Sequence, residues 1–140
     1  MEKGLKTLDD AICLEDAPHF VLEYLESKSY LRLIWKRKPN TLEYKHAITH
    51  WFHHLQTQQA ERTLFYNLKA GLISDEDKVW SEAFIKKLLP KSNLKKMASV
   101  IADNIYQRML IQKMHTVNKT PQYQLQFFTN ESEAYNWLLS

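Results

Sequence analysis

Gln124-Leu-Gln-Phe-Phe-Thr-Asn-Glu-Ser-Glu-Ala-Tyr-Asn-Trp-Leu-Leu-Ser140 reads as a short apolar strand, an abrupt cap and one amphipathic helix. Asn130 has the oxygen to cap that helix, and Glu133 stands three residues on, at capping-box spacing. Glu131 and Glu133 fall in the first turn, where the helix dipole favours negative charge. Ala134, Trp137 and Leu138 share one face. A strand running straight into a terminal helix is how an α/β fold is closed. The stretch carries no chemistry.

Working back from it, the same alternation recurs. Met97-Ala-Ser-Val-Ile-Ala102 reads as a strand, and Asn104 with Gln107 predicts a helix to about residues 114–116, its core side Tyr106, Met109, Leu110 and Met114. Ser74 caps a helix to about Leu88, with Val79, Trp80, Ala83, Phe84 and Leu88 as its apolar face and Pro90 as its stop. Thr63-Leu-Phe-Tyr-Asn67 is a short buried-type strand. Asn40 and Glu43 have capping-box spacing before a helix from Thr41 to about Gln58, which turns Tyr44, Ile48, Trp51, Phe52 and Leu55 to one side. Before it, Phe20–Leu25 and Tyr30–Trp35 flank Glu26-Ser-Lys-Ser29 and read as an antiparallel hairpin. Ile12-Cys-Leu14 is a short extended piece.

The order is strand, strand, then three repeats of helix and strand, ending on a helix. Alternation of this kind predicts parallel pairings with right-handed crossovers. The expected fold is a single-domain α/β mixed sheet of four to five strands flanked by four helices. Residues 1–18 read as a polar lead-in and 19–140 as the domain. The 140 residues suit one domain, with a core large enough to stand without staples. Only two glycines and four prolines, with 44% hydrophobic residues, argue against disorder.

Composition narrows the function classes. Cys13 is the single cysteine, so no internal disulfide forms. No apolar run reaches the length of roughly 18–20 residues that a membrane helix needs. The first residues lack a signal-peptide core, and the expected location is the cytoplasm. Formal charge is +3, unevenly spread. Residues 85–120 hold Lys86, Lys87, Lys91, Lys95, Lys96, Arg108, Lys113 and Lys119 against Asp103, a net of +7. Such a segment attracts nucleic acid or an acidic partner, but interleaved exposed aromatics and a binding motif are missing, so a solvated helix face is the plainer reading.

No catalytic constellation emerges. The two glycines, Gly4 and Gly71, cannot build a phosphate-cradling loop, and no nucleophile motif occurs. His46, His50, His53 and His54 sit on one helix with Glu43 a turn before. On the wheel the apolar face centres near about 220° while His46, His50 and His53 lie near about 20–80°, which turns them to solvent and away from a shielded metal site. Asp75, Glu76 and Asp77 in a first turn are explained by the dipole. Trp35, Trp51, Trp80 and Trp137 read as core, with an apolar ligand pocket as the second reading. No metal, cofactor or catalytic residue is assigned.

The hairpin ending in Trp35, the helix from Thr41, Leu64-Phe-Tyr-Asn67, the helix with Trp80 and then Pro90, Ala98-Ser-Val-Ile101 and the closing Phe127-Phe128 with Glu133-Ala134 and Trp137-Leu138 together resemble the SpoIIAA-like proteins. The fold of that group is similar to STAS domains. The resemblance spans about residues 19–139. It implies a small helix-flanked sheet and a non-enzymatic, partner-binding regulatory role. In STAS domains of the anti-sigma-factor-antagonist type, a kinase modifies Ser or Thr in an Asp-Ser-Ser/Thr-Gly motif at the helix start after the third strand. The corresponding place here is Ser74-Asp75-Glu76-Asp77, the candidate partner or switch surface. Acids stand where the phosphoacceptor and its neighbour would be and the glycine is absent, so the phosphoacceptor motif is not retained. A related resemblance, to lipid-binding CRAL-TRIO domains, implies a small apolar ligand as the alternative. Pairing of the hairpin edge across a twofold axis would give a homodimer.

Overall fold

A computed structural model describes residues 5, 7–107 and 123–140. Six strands form one sheet in sequential order: β1 (Ile12–Asp16), β2 (Phe20–Leu25), β3 (Tyr30–Trp35), β4 (Arg62–Tyr66), β5 (Lys96–Val100) and β6 (Gln124–Phe128). The first three pair antiparallel and β3 to β6 pair parallel. The helices are α1 (Thr41–Thr57), α2 (Asp75–Leu88), a helical stretch α3 at residues 103–107, and α4 (Glu131–Leu138). This is the mixed α/β sheet the sequence predicts, with β1 as a sixth strand inside the expected lead-in. A bulge between Cys13 and Glu15 bends β1, a common device at sheet edges.

Side chains alternate across the sheet. Leu31, Leu33 and Trp35 of β3 join Phe20, Leu22, Phe65 and Met97 beneath α1 and α2. Tyr30 and Ile34 join Leu64, Tyr66, Ala98 and Val100 beneath α4. Every residue of β3 is buried, as expected for a strand covered on both faces. The α1 face is held by Tyr44, Ile48, Trp51, Phe52 and Leu55, the set the helical period predicts. Trp51 donates to the Thr63 hydroxyl at 2.9 Å, and that hydroxyl donates to the Leu31 carbonyl.

The helix ends follow local chemistry. Asn40 and Glu43 form a complete capping box. Asn130 accepts from the Glu133 amide at 2.9 Å. At the other end of α4, Arg62 donates to the Leu138 carbonyl and Lys96 to those of Trp137 and Ser140, so two strand cations meet the negative end of the dipole.

Two details depart from the sequence reading. The α2 face is rotated: Val79 is 67% exposed and Ala83 is also exposed, while Asp77 and Ser81 are buried beside half-buried Trp80, Phe84, Ile85 and Leu88. Aromatic contacts with α1 explain the rotation. Trp80 meets Tyr44 edge-on at 6.3 Å and Phe84 meets Phe52 at 5.9 Å, which turns Val79 outward. The stretch at 103–107 is already helical at residue 103, so Asn104 is not its cap. Met109, Leu110, Met114, Arg108, Lys113 and Lys119 lie outside the described residues.

Candidate functional site

The carboxyl ends of β3, β4 and β5 meet the start of α1 and the loop from β4 into α2. Asn67 extends β4, its amide donating to the Val100 carbonyl at 2.9 Å, and its own carbonyl then receives the Ala70 amide in a turn. Gly71 takes φ 71°, a left-handed conformation that favours glycine, with the Lys38 side chain packed where a Cβ would point. The chain then enters α2 through Ser74.

The four residues of the sequence-derived site separate here. The Ser74 hydroxyl accepts from the Asp77 amide at 3.1 Å and is committed to the cap. Asp75 and Glu76 are exposed, Glu76 lying 3.8 Å from Lys45 on α1. Asp77 turns inward and is 6% exposed, so it belongs to the α1–α2 contact and not to the surface expected for all four. Its Oδ1 has no hydrogen-bond partner among the described residues. Tyr44 stands beside it; burial, opposed by a hydrogen bond with Ser81 and aided by the Asp77 charge, pushes its hydroxyl above the ordinary range.

Tyr44 also stacks on Trp35 at 5.8 Å, and the two rings wall a cavity of about 140 Å³. Phe65, Ile73, Ser99 and Phe127 are among the other lining residues, with Asn67 at the strand end. At its rim Ile73 is 45% exposed, and its neighbour Leu72 is 58% exposed. The arrangement is one small, largely apolar recess with an apolar rim and two exposed acids beside it.

Two further polar clusters escaped the sequence reading. His50 Nδ1 lies 2.7 Å from Glu15 Oε1, and His54 Nε2 lies 2.9 Å from Glu15 Oε2. A carboxylate only accepts, so both ring nitrogens donate. His46 and His53 are exposed as predicted, but His50 leans onto β1 instead of standing free. Among the described residues no group of three or more His, Cys, Asp or Glu is arranged to hold a metal ion. The helical wheel missed this contact because it carries no information about β1.

The second cluster is buried. Arg32 of β3 is 3% exposed and Glu131 of α4 is 0% exposed; they pair at 2.8 Å, with Glu23 of β2 on the other guanidinium nitrogen at 2.6 Å. Glu131 is therefore not simply a dipole residue on a solvated turn. A signal existed in Tyr30-Leu-Arg-Leu-Ile-Trp35: a charge inside an otherwise buried strand demands a buried partner. Among known proteins, no family, no curated protein and no solved structure matches this chain.

Proposed function

We propose that the chain is a non-enzymatic protein-interaction module whose partner docks at the carboxyl end of the sheet and seats one apolar side chain in the recess beside Ile73. The cavity volume carries this reading. Pockets for drug-sized ligands measure about 300–1,000 Å³, whereas a cavity of about 150 Å³ holds benzene. About 140 Å³ therefore suits one Phe or Leu side chain and not a lipid-like molecule. Exposed Leu72 and Ile73 supply an apolar rim, and Asp75 and Glu76 favour a partner with basic residues beside its anchor.

The SpoIIAA-like element order supports a partner-binding role over catalysis. It does not bring the phospho-switch with it, because the Ser74 hydroxyl already serves the cap. Nucleic-acid binding draws less support. Of the described lysines in the basic segment, Lys95 pairs with Glu61 at 2.8 Å and Lys96 caps α4.

A photo-crosslinking residue at position 72, with a control at position 12, tests the reading in source cells. The expected result is one discrete partner at 72 whose crosslink is lost when Ser99→Leu fills the recess of a still-folded protein. A crosslink indifferent to Ser99→Leu, or found only at position 12, overturns it.

A further inference from the structure

The recess beside Ile73 has a floor laid in rows by the sheet register. Phe65 of β4, Ser99 of β5 and Phe127 of β6 stand opposite one another in parallel pairing, so Ser99 lies between two aromatic residues. Side chains two positions further along a strand return to the same face, about 6.7 Å on. That step leads from Phe65 to Asn67, which also lines the recess. Neighbouring strands lie about 4.8 Å apart, so Asn67 and Ser99 are diagonal neighbours on the floor.

These two residues bring polar groups into a recess walled mainly by rings and aliphatic chains. Ser99 is only 8% exposed, so its hydroxyl is largely withdrawn from water. The backbone of Asn67 is already committed: its amide donates to the Val100 carbonyl, and its carbonyl receives the Ala70 amide. That fixes the root of the Asn67 side chain at the strand end. Among the described residues, neither the Asn67 carboxamide nor the Ser99 hydroxyl enters a side-chain hydrogen bond. Tyr44 contributes its ring to the wall, while its hydroxyl is bonded with Ser81. A carboxamide and a hydroxyl on one floor are answered by a group that both donates and accepts.

We infer that the partner's anchor in this recess is a tyrosine. The inference rests on the reading that a partner seats one side chain there, and it narrows that reading. A phenol ring matches the space that about 140 Å³ gives a benzene-sized group. Its hydroxyl donates to the Asn67 carboxamide oxygen and accepts from the Ser99 hydroxyl. Phenylalanine or leucine fills the same space but desolvates both polar groups without a bond. Each bond forgone in this way is worth about tenfold in affinity. Lysine or arginine beside the tyrosine meets Asp75 and Glu76, the exposed acids that follow Ile73 through Ser74.

Methyl-detected NMR titration of the full chain, read at Ile73 and Met97, tests the inference with three probes. They are a blocked lysine-tyrosine-lysine tripeptide, its phenylalanine counterpart and free 4-methylphenol. The expected result is saturable shifts with the tyrosine peptide, about tenfold or more tighter than with either other probe. Ser99→Ala combined with Asn67→Ala brings the tyrosine peptide down to its phenylalanine counterpart, and Ser99→Leu, which fills the recess, removes both. Equal binding of the two peptides, or a tyrosine preference untouched by the paired alanines, overturns the tyrosine and leaves the apolar seat standing. Binding of 4-methylphenol as tight as that of the tyrosine peptide assigns the recess to a small phenol and overturns the docking segment. No shift with either peptide overturns the seat as well.

Discussion

Arg32 and Glu131 are separated by 99 positions in sequence and meet at 2.8 Å in the interior, joining the centre of the sheet to the first turn of the last helix. The pair fixes where α4 begins relative to β3. Removing Arg32 takes the guanidinium from a fully buried carboxylate, removing Glu131 still leaves Arg32 paired with Glu23, and replacing both partners removes the demand.

Arg32→Met alone is therefore expected to cost about 3–5 kcal/mol. Arg32→Met combined with Glu131→Leu should recover most of that loss. Urea denaturation of the two variants checks it. Equal losses in the single and double variants would contradict the account.

Glu43 gives a pH dependence of defined sign. Two contacts from Arg37, with the Asn40 amide, hold its carboxyl down from the ordinary 4.5 to about 2. A depressed carboxyl stabilises the fold above its unfolded value, and that contribution is lost as pH falls from 4.5 toward about 2. Arg37→Ala should move the Glu43 titration upward by carboxyl-detected NMR and flatten this part of the acid-stability curve.

His19 works at higher pH. Burial chiefly lowers its pKa from 6.5, with His46, Arg37 and Lys36 adding to the effect and Glu43 opposing it, and its Nε2 has no hydrogen-bond partner among the described residues. The unfolded chain then binds the proton more readily than the fold, so stability falls as pH drops below 6.5. His19→Phe should reduce that slope between neutral pH and the carboxylate range in thermal melts taken across pH.

Glu15 ties an edge strand to a helix. Removing it in Glu15→Ala deletes the contacts to His50 and His54, each a hydrogen bond to a charged group worth about 1.5–3 kcal/mol when well shielded and less at this half-exposed site. Amide exchange should rise first at residues 12–16 and leave β3 protected. Uniform loss of protection would mean that β1 is not held locally.

Ser74→Ala is expected to cost about 1 kcal/mol, the ordinary worth of an N-cap hydroxyl. Ser74→Asp should be nearly neutral, since aspartate caps equally well. A chemical-denaturation midpoint separates them.

Much of this molecule is written locally. The capping box at Asn40 and Glu43, the cap at Ser74 and the aromatic face of α1 follow from short-range spacing, and all are present in the fold. The candidate surface was legible only in part. Ser74 caps as its position predicts, but Asp77 turns inward because Tyr44 and Trp80 set the rotation of α2, and those contacts join different elements.

Short-range spacing was enough for the element order from β2 onward, the caps at Asn40, Ser74 and Asn130 and the apolar face of α1, because hydrogen-bonding groups and hydrophobic period act over a few residues. Tertiary structure alone decided that Glu131 is buried on Arg32 and that Glu15 gathers His50 and His54. Those pairings depend on which strands and helices become neighbours. The Coulomb energy of a charge depends on what stands a few ångströms away in space, and adjacency in the chain does not fix that.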